Sequence, residues 1–135
     1  MNNDKRVNDV LNTGDDTWKL VAADPSSKRY AVDDVIENWV GFGDTSDVFR
    51  VFTDENGQLV FSGNNEDTMD ALASKEITLS LVDVNGKKVS LVFDKVSGSY
   101  TSKNILRADA EYFLTVKSAK PKSQNTDFQI AIDLK

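Results

Sequence analysis

Short runs in which apolar and polar residues alternate, each soon cut off by Asn, Asp, Gly or Pro, constrain this chain more than any other feature. Phe49, Val51 and Thr53 stand on one parity, and Val48, Arg50 and Phe52 on the other. A period of two places successive side chains on opposite faces of a strand. Asp54-Glu55-Asn56-Gly57 then turns the chain, and residues 58–62 return as a second strand. Asn-Gly suits a tight hairpin because both residues tolerate positive φ. The same dipeptide recurs at Asn85-Gly86, between 76–84 (Ile77, Leu79, Leu81) and 87–94 (Val89, Leu91, Phe93).

Two further alternating runs follow, 111–118 with Tyr112, Leu114 and Val116, and 126–134 with Phe128, Ile130, Ile132 and Leu134. Residues 17–23, with Trp18 and Leu20 on one parity, read as a first short strand ended by the Asp24-Pro25-Ser26-Ser27 turn. Residues 32–40 mix Val, Ile and Trp with Asp33, Asp34 and Glu37, a pattern that fits neither period cleanly. The convincing helical pattern is 66–75, with Asp67 as N-cap and Met69, Leu72 and Ala73 on one side. Many short strands with regular turn signals predict an all-β fold, an antiparallel sandwich of jelly-roll type with one short helix. At 135 residues the chain suits a single domain with a real core.

Composition then removes whole classes of chemistry. The chain has no cysteine and no histidine. Disulfides, thiolate nucleophiles, the usual general base and most zinc sites go with them. Ser62-Gly63 and Ser97-Gly98-Ser99 have no histidine to activate a serine, and the phosphate-cradling glycine motifs are missing. An enzyme is not expected. A net charge of -6 argues against nucleic acid and suits oxygen-seeking cations such as calcium. No apolar run approaches the ~20 residues that span a bilayer, so no membrane insertion is expected. The opening Met-Asn-Asn-Asp-Lys-Arg-Val lacks the apolar core of a signal peptide. That leaves either a cytoplasmic protein or a piece of a longer exported polypeptide, secreted or extracellular.

Candidate ligands are carboxylates and large aromatics. Asp44 and Asp47 flank a strand start close to Gly41 and Gly43, and Asp15, Asp16, Asp33 and Asp34 add oxygens if the preceding segment folds back over that edge. Together they would make a calcium site; alternatively Asp44 caps a turn and the rest are solvated surface. Gly41-Phe42-Gly43-Asp44 is a single imperfect copy of a calcium-binding nonapeptide and cannot build a stacked roll. Asp54-Glu55-Asn56-Gly57 fails as an EF-hand, its glycine falling too early. Trp18 and Trp39 either form a platform for a sugar ring or peptide side chain, or belong to the core. The edge beside Ile105, or the strand 111–118, offers itself to an extended peptide unless Lys103, Arg107, Lys117 and Lys120 protect it.

The run Trp39-Val40-Gly41-Phe42-Gly43-Asp44-Thr45-Ser46-Asp47-Val48-Phe49-Arg50-Val51 resembles the opening of bacterial pre-peptidase C-terminal (PPC) domains. Leu81-Val82-Asp83-Val84-Asn85-Gly86, then 108–116, then Thr126-Asp127-Phe128-Gln129-Ile130, continue the resemblance over about residues 38–134. Two departures stand out: Ala110-Glu111 where the family usually has Gly, and a helix at 66–75 longer than the expected loop. The resemblance implies a lead-in at 1–37 packed on or next to a sandwich at 38–135. It also implies a non-catalytic accessory module of an exported peptidase or adhesin, binding a protein, peptide or glycan and stabilised by calcium near that junction. The alternative is a free-standing secreted sandwich that inhibits or assembles a protein partner.

Overall fold

The computed structural model describes residues 17–41, 45–119 and 125–135. Its elements are α1 (Trp18–Ala23), β1 (Arg29–Ala31), β2 (Val35–Val40), β3 (Ser46–Thr53), β4 (Leu59–Gly63), α2 (Glu66–Ala73), β5 (Ile77–Asp83), β6 (Lys88–Val89), β7 (Leu91–Asp94), β8 (Ser99–Ser102), β9 (Ala110–Ser118) and β10 (Thr126–Leu134). They form two five-stranded sheets, β1-β3-β9-β5-β6 and β2-β10-β4-β8-β7. Every pairing is antiparallel except β1 with β3. This is the all-β sandwich of jelly-roll type that the alternating runs predict.

The core follows from strand parity. Phe49 and Val51 of β3, Leu79 and Leu81 of β5, and Leu114 and Val116 of β9 face Ile36, Phe61, Phe128, Ile130 and Ile132 of the other sheet in one buried cluster. Leu81 pairs with Leu114 and Phe49 with Leu114, so the same face stays inward across the first sheet. A slip of one residue would turn these side chains to solvent, which fixes the register.

Helix α2 closes one margin of the second sheet. β4 stops pairing with β10 at Gly63 opposite Ile130, and the helix takes over the next backbone groups. Gln129 N-H donates to Thr68 Oγ1 at 3.0 Å, and Asn64 N-H donates to Gln129 C=O at 2.8 Å. A Cβ on Gly63 would stand 2.6 Å from Met69 N, so only glycine lets strand and helix approach this closely. The N-cap is Asn65, not Asp67: its side chain accepts from Thr68 N-H at 2.8 Å. The buried face is Thr68, Ala71 and Leu72, leaving Met69 and Ala73 exposed.

Further sequence expectations are corrected. Residues 17–23 are not a strand. Thr17 caps a helix through Leu20 N-H, and Trp18 and Val21, three apart, share the face that packs on Phe113. Leu20, matched to Trp18 on a period of two, is exposed. The sandwich therefore carries a second helix.

Nor does Asp54-Glu55-Asn56-Gly57 close a hairpin. β3 lies in the first sheet and β4 in the second, so this segment crosses between them. Asn56 Oδ1 accepts from Ala108 N-H at 2.6 Å, and Gly57 bridges Leu106. A Cβ on Gly57 would lie 2.8 Å from Leu134 Cδ1, so the glycine serves close packing. At Asn85-Gly86 the hairpin forms, with Gly86 at φ 80 and Leu81 paired to Val89. Its return strand is split, however: β6 stays in the first sheet and Leu91 and Phe93 cross to the second as β7.

The strand 111–118 cannot accept an added peptide edge. As β9 it lies inside its sheet, paired with β3 on one side and β5 on the other. Of the segment 1–37 set apart as a lead-in, residues 1–16 lie outside the described residues. The remainder supplies α1, β1 paired to β3, and the start of β2 at Val35, so these elements belong to the sandwich.

Candidate functional site

Arg50 ties α1 to the outer face of the first sheet. Arg50 points outward from β3, and its guanidinium donates to the carbonyls of Val21 at 2.8 Å and Asp24 at 3.2 Å, and to Ser27 Oγ at 3.1 Å. These carbonyls stand at the C-terminal end of α1, where Asp24 N-H and Ser27 also donate to them, and Arg50 adds a charged donor to that cap from the sheet. Nη1 also donates to Glu111 Oε1 at 2.8 Å, while Arg29 meets Glu111 Oε2 at 3.1 Å. Below the helix, Val21, Val48 and Phe113 form a second buried cluster with Trp18 and Val82. Asp24 caps the following turn by accepting from Ser26 Oγ and N-H, and these bonds hold its carboxyl below the usual range.

The predicted calcium ligands do not converge among the described residues. Asp47 is fully buried, on the inward parity of β3 with Phe49 and Val51, at the end of the sandwich where β3 begins. Nearby, Thr126 donates to Glu76 Oε2 at 2.6 Å. Asp33 and Asp34 follow β1, whose Ala31 pairs with Phe52 at the other end of β3. Roughly 3.3 Å per residue puts Asp47 and Asp33 on the order of 20 Å apart. Asp34 Oδ2 accepts from Ala31 N-H at 2.7 Å, and Asp33, at φ 80, lines a recess of about 310 Å³ with Asp54 and Glu55. Among the described residues no group of three or more His, Cys, Asp or Glu is placed to hold a metal ion. Asp15, Asp16 and Asp44 lie outside the described residues.

Of the two tryptophans, Trp39 is 4 % exposed and lies on the face of β2 opposite Ile36 and Val40. Trp18 is half-buried, its ring centroid 5.8 Å from that of Phe113. Its Cζ2 would be 2.5 Å from a Cβ on Gly86. A stacking platform needs an open ring face, which leaves Trp18 as the one of the pair with exposed surface.

Sequence reading passed over a second recess, of about 300 Å³, between the β5–β6 turn and residues 104–107. Lys87, Lys88 and Arg107 line it with Ile105 and Tyr112. Ile105 is 71 % exposed. The turn is rigid: Asp83 Oδ1 accepts from Asn85 N-H at 2.8 Å and Lys87 N-H at 2.9 Å. The opposite wall is tied by Lys103 N-H to Ser90 C=O at 2.9 Å and by the Gly57–Leu106 bridge. The signal in the sequence was Lys87-Lys88 directly after a tight turn, and only the fold brings Arg107 beside it.

No family model matches the sequence, and no curated protein does. Among solved structures the chain is similar to the pre-peptidase C-terminal domain of collagenase from Bacillus anthracis. The TM-score is 0.57 at 13 % identity, over 80 % of this chain and 95 % of that one. It is also similar to PliG of Salmonella Typhimurium, a periplasmic inhibitor of g-type lysozyme, at a TM-score of 0.46 and 19 % identity, over 81 % and 100 % of the respective chains. The first likeness establishes that the chain has the sandwich fold of a PPC domain.

Proposed function

We propose that this chain is a non-catalytic accessory module of a larger exported bacterial protein, and that it binds a protein partner. The observation that carries the reading is the overlay on nearly the whole of a domain that belongs to a collagenase. That domain is part of a collagenase, and membership of a larger protein is proposed here likewise. The absence of histidine and cysteine supports the non-catalytic part, because it removes the common nucleophile and base chemistry.

Calcium enters this proposal only as a stabiliser of the Asp47 end. The described residues alone do not make a cation site there, and Asp33 and Asp34 belong to the other end. Asp47 with Asp44, Asp15 and Asp16 is the remaining carboxylate set. Melting in millimolar calcium against excess chelator reads this directly, because a ligand bound only to the folded state raises the melting temperature. A rise of several degrees that Asp47→Asn abolishes is expected; superimposable melts remove calcium from the reading. A glycan ligand would have to stack on Trp18, and tryptophan quenching by oligosaccharides tests it.

The module reading itself is tested by assaying the purified chain on peptide, ester and glycoside substrates, alongside retention on immobilised gelatin and polysaccharides. Retention without turnover is expected. Turnover that disappears on substituting one carboxylate would overturn the non-catalytic assignment.

A further inference from the structure

We propose that the recess formed by Lys87, Lys88 and Arg107 is a docking site for an extended acidic peptide segment, running on along the open edge of β7. This deepens the protein-binding reading above by naming the partner's chemistry. The chain carries a net charge of -6, yet the titratable residues lining this recess are mainly cations. Among the described residues, the side chains of Lys87, Lys88 and Arg107 make no ion pair or hydrogen bond. Asp83, the carboxylate beside them, already accepts from two turn amides. The recess therefore offers net positive charge, three cations against one carboxylate, on a rigid frame, which attracts an anionic group and disfavours cationic partners.

The neighbouring strand selects a peptide. Ser90 lines the recess and leads directly into β7, the last strand of the second sheet, which pairs only with β8 among the described residues. Its outer edge presents backbone donors and acceptors to which an extended segment can add as a further strand. Val92, 54 % exposed, and Ile105, 71 % exposed, supply apolar contacts beside the edge and the recess. An acidic side chain entering the recess lies beside Ile105, on the β8 side of Ser90, while the adjoining residues of the segment pass Ser90 to reach the outer edge of β7. A sulfated glycan would satisfy the cations but leave the strand edge unused.

The test is fluorescence polarisation with a labelled peptide alternating glutamate and valine, its glutamine-for-glutamate counterpart, and a labelled heparin fragment. Glutamate-peptide binding that weakens with salt is expected, with a loss of at least about tenfold in the Lys87→Glu/Arg107→Glu double variant. Lys28→Glu, a charge reversal outside the recess, should leave binding unchanged. Thermal melts of each variant establish that it is folded. Hydrogen exchange should show residues 91–94 newly protected in the complex. Equal binding of the glutamine peptide, equal loss in Lys28→Glu, or unchanged exchange at 91–94 overturns the proposal. So does tight heparin binding without peptide binding, which would assign the recess to glycans. None of these outcomes bears on the turnover assay, so the module reading stands or falls separately.

Discussion

Replacing Arg50 by methionine removes the guanidinium and keeps most of the stem. In the folded protein that group donates to the Val21 and Asp24 carbonyls, to Ser27 Oγ and to Glu111, with its side chain only 14 % exposed. A hydrogen bond to a charged group contributes about 1.5–3 kcal/mol when its loss strands the partner. Here much of that loss is recoverable, because the Val21 carbonyl keeps Asp24 N-H and Ser27 Oγ as donors, the Asp24 carbonyl keeps Ser27, and Glu111 keeps Arg29. The expected net cost is roughly 2–3 kcal/mol, or a fall in melting temperature of about 6–12 °C for a domain of this size. The loss should be uneven in space. A helix of six residues has no independent stability, so α1 depends on Val21, Trp18 and Arg50 for its position. Hydrogen exchange in Arg50→Met should show amides of 18–24 opening well before those of β3 and β9, with Trp18 emission shifted to the red. A melting temperature within 2 °C of wild type by rough allowance, with α1 exchange unchanged, would refute the view that Arg50 holds the helix down.

Three other substitutions or conditions probe the same framework. Gly86→Ala meets both a φ of 80 and a Trp18 carbon at 2.5 Å. It should cost about 2–4 kcal/mol in denaturant melts, and Trp18→Ala should reduce the penalty of adding it, a coupling read from the double-mutant cycle. Thr68→Val leaves the half-buried Gln129 N-H without its acceptor on the buried Thr68 side chain, for an expected loss of about 1–2 kcal/mol, whereas Thr68→Ser should be milder. Tyr30 has its phenol pKa raised above the ordinary 10.0, first by burial and then by the Asp34 charge. Because the unfolded chain ionises first, this contribution is intact below pH 10 and fades as pH rises through the folded value. Melts at about pH 9 and 11 should show a smaller alkaline loss in Tyr30→Phe than in wild type; identical profiles would count against it.

Strand parity was the most legible part of the fold, since 47–53, 76–84, 111–118 and 126–134 become β3, β5, β9 and β10, give or take a residue at the ends, with their apolar faces inward. Burial on one face writes itself into alternation, and no partner need be known. Pairing was less legible. Asn56-Gly57 and Asn85-Gly86 look alike locally, but the first glycine makes room for Leu134 and the second adopts positive φ. The distinction depends on residue 134, far away in sequence. Trp18–Ala23 was misread because six residues hold too few apolar positions to separate a period of two from one of three or four. The separation of Asp33 and Asp34 from Asp47 was hidden for a different reason. Spacing places Asp33, Asp34 and Asp47 close along the chain, yet β2 carries the backbone the length of the sandwich between them.

That same traverse places opposite charges at one end of the molecule. β3 leads away from Asp47 to the recess of Asp33, Asp54 and Glu55, and β5 ends at the recess of Lys87, Lys88 and Arg107. Tyr112, which lines the basic recess, pairs with both Asp83 and Val51, so both recesses open at the end where β9 begins. Across β3, β9, β5 and β6, at about 4.8 Å per strand, the two charge centres stand roughly 15 Å apart. Fields at that separation reach beyond the Debye length of about 8 Å at physiological salt only weakly in bulk water. A partner docked end-on excludes that water and meets both. An acidic strand in the basic recess would then orient its own cationic flank toward Asp54 and Glu55. Reversing Asp54 and Glu55 to lysine should therefore slow association of a partner carrying both charges while leaving the purely acidic peptide unaffected or faster. Equal slowing of both ligands would mean that the acidic recess acts through the fold and not through the approach.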